Sequence, residues 1–439
     1  MSIRNERYHT KQHQGGGCFG CVIGVLFGLL LCVGLLLFFG KAQAVADGLV
    51  ALYQGERAIT VQWQGETYLL SLQPKALAPE QEAQPTATPT ALNAQQVRTT
   101  LEESSALFSD GITRYAYTTL TDAQKITYLL VAQCAFDMAE EVELPTQAST
   151  DLSAIWPLVQ MDFPELFWVD TVLARTITQG EVVQVFFVPS YTLTAVQRAA
   201  QEASIQQVAA LYLQSLPADA TDYQKVKAAY EFVVEQVMYL ETENDQTLYG
   251  ALGQGQAVCA GYARAVQYLL NQAGVVCGYV SGQAIAEYGT ITHAWNFVLI
   301  EGEYYYLDAT WGESSFDDGV DYAYLCVNAA DLATTHFASD TYPLPAANGT
   351  AYNYYRAEGF YIEAYSIDAV QSAMALQVGA DCYSLRFSSA EAFQAALSNL
   401  IEAQGVYGVF RSIGAPTDSI GYTYKEALYI LMIYPNAGG

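Results

Sequence analysis

The sequence predicts an α+β protein in which helices precede an antiparallel sheet. Apolar residues recur at helical spacing in three long segments, 120–141, 193–216 and 221–240. Apolar and polar residues alternate as in strands in three later segments, 276–285, 293–300 and 303–309. Between the first two helices lie a Pro-broken aromatic turn (161–170) and a strand (181–193). Helices grouped before strands, rather than alternating with them, are typical of the α+β class.

The composition favours a folded and acidic protein. Hydrophobic residues make up 52% of the 439 positions and charged residues only 14%. This allows two or three domains with buried cores and excludes global disorder. The formal net charge is −27. Because binding to phosphates needs clustered Lys and Arg, nucleic acid is excluded as a partner.

The N-terminal segment has the pattern of a membrane anchor. Residues 1–17 are basic, and the uncharged apolar segment that follows them (21–40) is long enough to cross a bilayer as a helix. We expect a cytoplasmic head (1–17), a single transmembrane anchor (18–40) and an extracellular remainder, because positive residues stay on the cytoplasmic side. The alternatives are a signal peptide cleaved after Ala44, at "AQA", and a buried helix of a soluble protein.

Changes in composition divide the chain after the anchor into four segments. Residues 41–73 contain a predicted β-hairpin (57–72), and a linker rich in Pro, Ala and Thr follows at 74–96. The main domain is expected at 97–345. A small C-terminal α+β module, with the order strand, helix, strand, helix, strand, is expected at 350–439.

The stretch "GQAVCAGYARAVQYLL" (255–270) places Cys259 where a glycine-containing loop turns into a predicted helix. The helical pattern continues to Gly274, a residue type common just after helix ends. The partial positive charge of a helix N-terminus stabilises a thiolate, the nucleophilic form of cysteine. The backbone N–H of Cys259 is also suited to stabilise an oxyanion. The simpler interpretation is a small buried residue, so a nucleophile at this position needs a base nearby.

The segment "HAWNFVLIEGEYYYLDATW" (293–311) predicts a hairpin with a two-residue Glu-Gly turn. In that register Trp295 faces Asp308, and His293 and Asp308 are diagonal neighbours on one face, about 7 Å apart at Cβ. A carboxylate at this position would orient the imidazole and stabilise its charged form. A shift of the register by one residue would place Asp308 on the opposite face.

Two histidines, His293 and His336, lie on the same predicted side of the membrane as Cys259, because the other two belong to the head. His336 is the rival base. It follows "NAADLATT" in a predicted loop, and no carboxylate follows it in the way that Asp308 follows His293. We therefore predict that His293 is the base.

Three segments together, "GQAVCAGYARAV", "HAWN" and "YYLDATW", resemble the three catalytic boxes of the transglutaminase-like superfamily. The resemblance implies a papain-like fold, with Cys259 as nucleophile, His293 as base and Asp308 as the residue that orients it. The helix "DYQKVKAAYEFVVEQVMYL" is similar to the one that leads into this core. "PELFWVD" (164–170) and "HFASDTYPLP" (336–345) are similar to flanking segments of membrane-anchored bacterial members.

Other residues are candidates for supporting roles. Papain-type enzymes use a Gln before the Cys as a second oxyanion donor, and Gln254 and Gln256 resemble it, although their spacing differs from the protease pattern. Tyr249 is a third candidate, and a role in the loop or in packing is the alternative for all three. Trp295 and Trp311 are expected to pack around the site and exclude water, with ordinary core packing as the alternative. We expect no cofactor and no metal.

These residues predict an enzyme that acts on amide or ester carbonyls. The Cys259 thiolate would form an acyl-enzyme while His293 passes a proton to the leaving group. Water as acceptor gives peptidase or amidase activity, which we expect at an extracellular site, and an amine gives protein crosslinking. The expected substrate is a protein or peptide, cell-wall material included. The alternatives are a domain that binds peptides or cell-wall polymer without catalysis, and a membrane-tethered scaffold.

Overall fold

The computed structural model describes residues 58–63, 66–71, 110–144, 148–179, 182–286, 289–313, 319–340 and 343–435. The predicted head (1–17), anchor (18–40) and linker (74–96) lie outside these ranges. Within the ranges, no helix combines the length and the apolar character that crossing a bilayer requires. The anchor therefore stays a prediction.

The helices of the described ranges, numbered in chain order, are α1 Tyr115–Thr118, α2 Asp122–Phe136, α3 Ala148–Asp162, α4 Ala195–Ser215, α5 Asp222–Gln236, α6 Cys259–Gln272, α7 Ala329–Leu332, α8 Tyr354–Ala357, α9 Ile367–Ala375, α10 Ala390–Ala396 and α11 Val406–Ser412. The strands are β1 Ala58–Trp63, β2 Glu66–Ser71, β3 Val142–Leu144, β4 Val169–Gln179, β5 Val182–Tyr191, β6 Met238–Tyr239, β7 Gln256–Ala257, β8 Cys277–Ala286, β9 Gly289–Ile300, β10 Glu303–Leu307, β11 His336–Ala338, β12 Tyr361–Ile362, β13 Tyr383–Phe387, β14 Ile420–Lys425 and β15 Ile430–Pro435. Wide, π-type turns occur at Tyr249–Gly253 and Leu397–Glu402, and 3-10 turns at Ala309–Gly312 and Glu426–Leu428.

Capping explains where three of the long helices begin. Thr121, Thr194 and Thr221 precede α2, α4 and α5, and the hydroxyl oxygen of each accepts from the backbone N–H of the Gln three residues later. The side chain of that Gln accepts in return from the backbone N–H of the Thr. Each reciprocal pair satisfies two N–H groups that a helix start leaves unpaired. The three predicted helices are therefore observed, each a few residues shorter.

The first sheet has the strand order β1-β2-β4-β5-β3 and is antiparallel throughout. β1 and β2 form the predicted hairpin, with Ala58 opposite Ser71 and Trp63 opposite Glu66. β2 also pairs with β4, so the hairpin is part of a larger sheet. α3 and β4 are absent from the prediction, because Pro157 interrupts the helical pattern of α3 and β4 directly follows the aromatic turn.

The second sheet, with the order β10-β9-β8-β11, is also antiparallel and packs against α6. β9 and β10 form the predicted hairpin, and Asn296 pairs with Leu307 in the expected register. Its turn residues Glu301 and Gly302 have φ values of 48° and 85°, as a two-residue turn of this type requires. α6 is buried along nearly its whole length, so its N-terminus is held against this sheet.

The third sheet, with the order β12-β13-β15-β14, belongs to the C-terminal region. Along β15, Ile430, Met432 and Tyr434 pack into the main hydrophobic core, whereas Leu431 and Ile433 pack into a second core with α9, α10 and α11. Successive side chains of a strand point to opposite faces, so this one strand joins the two cores. The described part of 350–439 contains two helices and one strand more than predicted.

Candidate active site

Cys259 is the first residue of α6 and is partly exposed. The chain reaches it in an extended conformation through Val258, whose N–H donates to the Asp245 carbonyl at 3.0 Å. Gly261 allows α6 to approach this loop, because a Cβ there would lie 2.5 Å from Ala257 Cβ and 2.6 Å from Asp245 O. As the first helical residue, Cys259 has a backbone N–H with no acceptor inside the helix, which suits it to bind an oxyanion.

His293 and Asp308 are joined by a buried hydrogen bond. His293 Nε2 donates to Asp308 Oδ2 over 2.7 Å, and the two residues are only 2% and 1% exposed. Strand pairing ends at Leu307, earlier than predicted, where the chain enters the 3-10 turn Ala309–Gly312. Asp308 caps that turn, and its Oδ1 accepts from the Thr310 N–H at 3.0 Å. The hairpin register therefore brings the two side chains together.

Burial and pairing have opposite effects on the charges of this pair. Burial lowers the pKa of His293, but the Asp308 carboxylate, followed by Cys259, outweighs burial and raises that pKa to about 10. Burial raises the pKa of Asp308, but the charge and hydrogen bond of His293, followed by those of His336, bring it well below its usual value. The pair is consequently an imidazolium and a carboxylate at neutral pH.

Cys259 is close enough to His293 to contribute to the raised pKa of the imidazole. Because Nε2 of His293 is engaged by Asp308, the ring nitrogen that serves Cys259 is Nδ1. The arrangement has the geometry of a nucleophile, a base and an orienting carboxylate.

His336 is not in a loop, as predicted, but begins β11 and is 3% exposed. Its Nε2 donates to Asp308 Oδ2, the oxygen that His293 also contacts, over 3.1 Å. Its carboxylate partner is Asp308 itself, which lies 28 residues earlier in the chain, and not a carboxylate that follows His336. The pairing of β11 with β8, with His336 opposite Ala284, brings it to the site. No local sequence pattern signals that pairing, because β11 is only three residues long.

Aromatic rings enclose the two histidines. The ring centroids of Trp311 and Trp295 lie 5.3 and 6.1 Å from that of His293. The same two rings lie 4.6 and 5.0 Å from that of His336. Trp295 is buried and Trp311 is partly buried, so both exclude water from the hydrogen bonds to Asp308.

The three candidates for a second oxyanion donor are placed differently from one another. Tyr249 stacks on Phe167, with ring centroids 6.0 Å apart. Gln254 is exposed, and its Oε1 accepts from a neighbouring asparagine at 3.2 Å. Gln256 lies in β7. Across the described ranges these contacts link none of the three side chains to Cys259, so the second donor stays a prediction.

His293, Asp308 and His336 also have a geometry that could hold a metal ion. Each of the three side chains offers one possible ligand atom, and these three atoms lie within 4.8 Å of one another. These atoms already form the hydrogen bonds between the three side chains. A metal ion would have to replace both N–H donors of the carboxylate, and the hydrogen bonds explain the cluster without one.

Three other cysteines have surroundings that suppress reactivity. Cys134, Cys277 and Cys326 are buried thiols. Burial raises the pKa of Cys134 to about 11, and it also raises the pKa of Cys277 and of Cys326 well above the usual value for a thiol. Since the thiolate is the reactive form, these three side chains are poor nucleophiles.

Comparison with known proteins assigns the segment around this site to a superfamily. Residues 212–309 match the family described as Transglutaminase-like superfamily. The proteins named kyphoscoliosis peptidase from Homo sapiens and Mus musculus are 29% and 28% identical to this chain over 113 residues. These matches cover 22% of this chain and only 17% of each relative, so the chain spans about a sixth of their length.

Among solved structures, the chain resembles a protein described as a TGase, with 13% identity and a TM-score of 0.24, over 34% of this chain and 46% of that one. The matched family segment contains each of the three residues of the proposed nucleophile–base–orienter arrangement. Cys259, His293 and Asp308 therefore all lie within the segment that is similar to the Transglutaminase-like superfamily.

Proposed function

We propose that this protein is an extracellular, membrane-anchored cysteine enzyme that acts on amide bonds of protein or peptide substrates through a thiol acyl-enzyme. The observation that carries the proposal is the buried 2.7 Å hydrogen bond between His293 Nε2 and Asp308 Oδ2. A buried ion pair is costly to desolvate and is weak evidence for stability alone. Here it keeps protonated an imidazole that faces the partly exposed thiol of Cys259.

The reaction follows from these positions. An imidazolium at His293 stabilises a thiolate at Cys259 by its charge. The sulfur attacks the carbonyl carbon and the C–N bond breaks. His293 gives its proton to the departing amine, which leaves a thioester on Cys259. The Cys259 N–H, at the positive end of α6, donates to the oxyanion of the tetrahedral intermediate, and Asp308 keeps the ring oriented.

The acceptor that releases the acyl group decides the product. Water gives a carboxylic acid, as in a peptidase or amidase, and an amine gives a new amide, as in crosslinking. The partial exposure of Cys259 supports hydrolysis, because bulk water reaches the thioester.

The surface next to Cys259 supports a peptide substrate. Within the described ranges β6 pairs with β7 alone, and the N–H groups of Met238 and Leu240 donate toward that strand. The backbone groups of Tyr239 therefore point away from β7, and all three side chains are exposed. Tyr239 is close enough to Cys259 to interact with it electrostatically. An extended peptide can add to such an edge through main-chain hydrogen bonds.

Alkylation with iodoacetamide near neutral pH tests the proposal without knowledge of the substrate. We expect Cys259 to react at least about tenfold faster than Cys382, the other partly exposed cysteine of the described ranges, because only Cys259 has an imidazolium beside it. Peptide mass spectrometry measures both rates in one sample. Asp308→Ala should slow the reaction of Cys259 and leave that of Cys382 unchanged. Equal rates for the two cysteines in the wild type would contradict the proposal.

A screen of glutamine-containing peptides for ammonia release, with and without an added amine, then identifies the reaction. Release that Cys259→Ala abolishes supports the enzyme. Incorporation of the amine assigns crosslinking, and new peptide termini assign peptidase activity. Peptide or cell-wall binding that survives Cys259→Ala, with no turnover in the wild type, would instead favour the alternative of a binding domain that retains the three residues.

The anchored location has its own test. We expect protease added to intact cells to remove a tag placed after Gly439 but not one placed before Met1. Both tags should fractionate with membranes. Loss of the N-terminal tag from the mature protein would instead show that the segment is a signal peptide cleaved near Ala44.

A further inference from the structure

We infer that His336 is a positioning residue of the proposed catalytic centre and acts on His293 through a shared oxygen of Asp308, an inference that rests on the proposed function. Both imidazoles donate to Asp308 Oδ2, His293 over 2.7 Å and His336 over 3.1 Å. The three residues are at most 3% exposed, so water does not compete for this oxygen. Within the described contacts it is His293, and not His336, that reaches the thiol.

Further hydrogen bonds orient the His336 ring. Its Nδ1 lies 2.8 Å from Thr335 Oγ1, and that oxygen lies 3.2 Å from the Tyr324 hydroxyl. When Tyr324 donates to Thr335, the Thr335 hydroxyl is free to donate to Nδ1. The ring proton of His336 is then on Nε2, the nitrogen that faces Asp308. With that direction of the Tyr324–Thr335 hydrogen bond, Thr335 would favour the tautomer in which His336 is a donor to the carboxylate.

The backbone holds His336 close to the site. β8 lies between the strands of the two histidines, and Gly282 in β8 is opposite His293 on one side and Ala338 on the other. A Cβ on Gly282 would lie 2.2 Å from the Phe337 carbonyl oxygen. Glycine at this position therefore lets β11 approach closely enough for His336 to reach Asp308.

Because both imidazoles donate to the same oxygen, we can infer the direction in which His336 changes the pKa of His293. A carboxylate oxygen that accepts a second N–H attracts the first proton less strongly. His336 acts in this direction whether its ring is neutral or charged. It therefore keeps Asp308 ionised and limits how strongly Asp308 holds the proton of His293. Because His293 must give that proton to the leaving amine, a weaker hold favours the transfer.

Nuclear magnetic resonance of the full-length protein, with isotope-labelled histidine nitrogen, measures this effect directly. The chain has only four histidines, so the ring N–H signals of His293 and His336 can be assigned. In His336→Phe we expect the His336 signal to disappear and the His293 signal to move further downfield. The pH at which His293 loses its proton should rise by about one unit.

Two further variants separate this role from a merely structural one. His336→Gln keeps an N–H donor and should restore the wild-type titration of His293. Thr335→Val removes the hydroxyl that would favour the donor tautomer of His336 and should shift the titration in the same direction as His336→Phe, but less. If His336→Phe does not fold, the titration of His293 in Thr335→Val tests the inference by itself. A titration of His293 that stays unmoved or falls in a folded variant would overturn the inference.

Failure of the proposed function has a different signature. Slow alkylation of Cys259 in the wild type would contradict the proposed enzymatic function. It would therefore also contradict a role for His336 in catalysis. Fast alkylation of Cys259 in the wild type, together with a titration of His293 that the His336 and Thr335 variants leave unchanged, would contradict only the inferred role of His336.

Discussion

Asp308 is a buried anion whose two oxygens accept three hydrogen bonds, two from imidazoles and one from the Thr310 N–H. An anion in such surroundings is stable only while its donors and its counter-charge remain. The hairpin register predicts the first imidazole, because a two-residue turn determines which residues of two adjacent strands meet. The second imidazole, that of His336, is 28 residues after Asp308 in the chain. Its position depends on a pairing between strands that the local pattern does not specify.

Asp308→Asn should destabilise the fold in a way that depends on pH. It removes the buried carboxylate that is hydrogen-bonded to His293, and we expect a loss of roughly 3–5 kcal/mol in the free energy of unfolding at about pH 6. The pKa of His293 is raised in the folded state to about 10. The stability from the pair is therefore complete below the unfolded pKa of about 6.5 and is lost as the pH rises toward 10. Because the pKa of Asp308 is lowered, its own contribution is lost only as the medium becomes strongly acidic.

Urea unfolding of both proteins at several pH values measures this difference. The matched control is Asp222→Asn, which breaks the partly exposed ion pair with Lys225 at 3.1 Å and should cost less than about 1 kcal/mol. A deficit in Asp308→Asn that is the same at pH 6 and near pH 10 would show that the charge of His293 does not contribute.

At the scale of single elements, the start of α6 depends on the absence of a side chain at residue 261. We expect Gly261→Ala to cost about 1–3 kcal/mol in stability through overpacking, because its Cβ would lie within 2.6 Å of the Asp245 carbonyl oxygen. The shift of the first turn should also slow alkylation of Cys259. Gly408→Ala is the control, since a Cβ there meets nothing within 4 Å and alanine favours the helix. Equal behaviour of the two variants in denaturation and alkylation would refute this account.

Helix capping should contribute to stability without affecting the site. Thr221 and Gln224 form the capping box of α5, and Thr221→Ala should lower the free energy of unfolding by about 1 kcal/mol. The alkylation rate of Cys259 should stay at the wild-type value, because α5 carries none of the three proposed catalytic groups. Thermal unfolding and alkylation check the two expectations, and Thr221→Ser, which keeps the hydroxyl, should behave as the wild type.

At the scale of the whole molecule, β15 joins the C-terminal region to the main hydrophobic core, which holds the candidate site. Ile430 belongs to the main core and its neighbour Leu431 to the second core. Ion pairs also cross between the regions, with Arg386 Nη2 2.6 Å from Asp331 Oδ2. A loss of packing on either face of the strand should therefore weaken both cores.

We expect Ile430→Ala and Leu431→Ala each to cost roughly 2–5 kcal/mol and to move one shared unfolding transition. Circular dichroism and exposure of the buried Cys277 thiol should report the same midpoint in both variants. Two separate transitions, with Leu431→Ala moving only one of them, would show instead that the C-terminal region unfolds independently.

Local patterns were sufficient to predict the helices α2, α4, α5 and α6 and the hairpin of β9 and β10, which brings His293 beside Asp308. The choice of Cys259, His293 and Asp308 as catalytic groups also used the family resemblance, and it stays a prediction. Caps, two-residue turns and alternation act over a few residues, and their effect can be read from a short segment. They were not sufficient for α3, for the pairing of β2 with β4 or for the division of β15 between two cores. Nor could they place His336 on Asp308. Packing between segments remote along the chain decides each of these features, because burial and pairing energies depend on which surfaces meet.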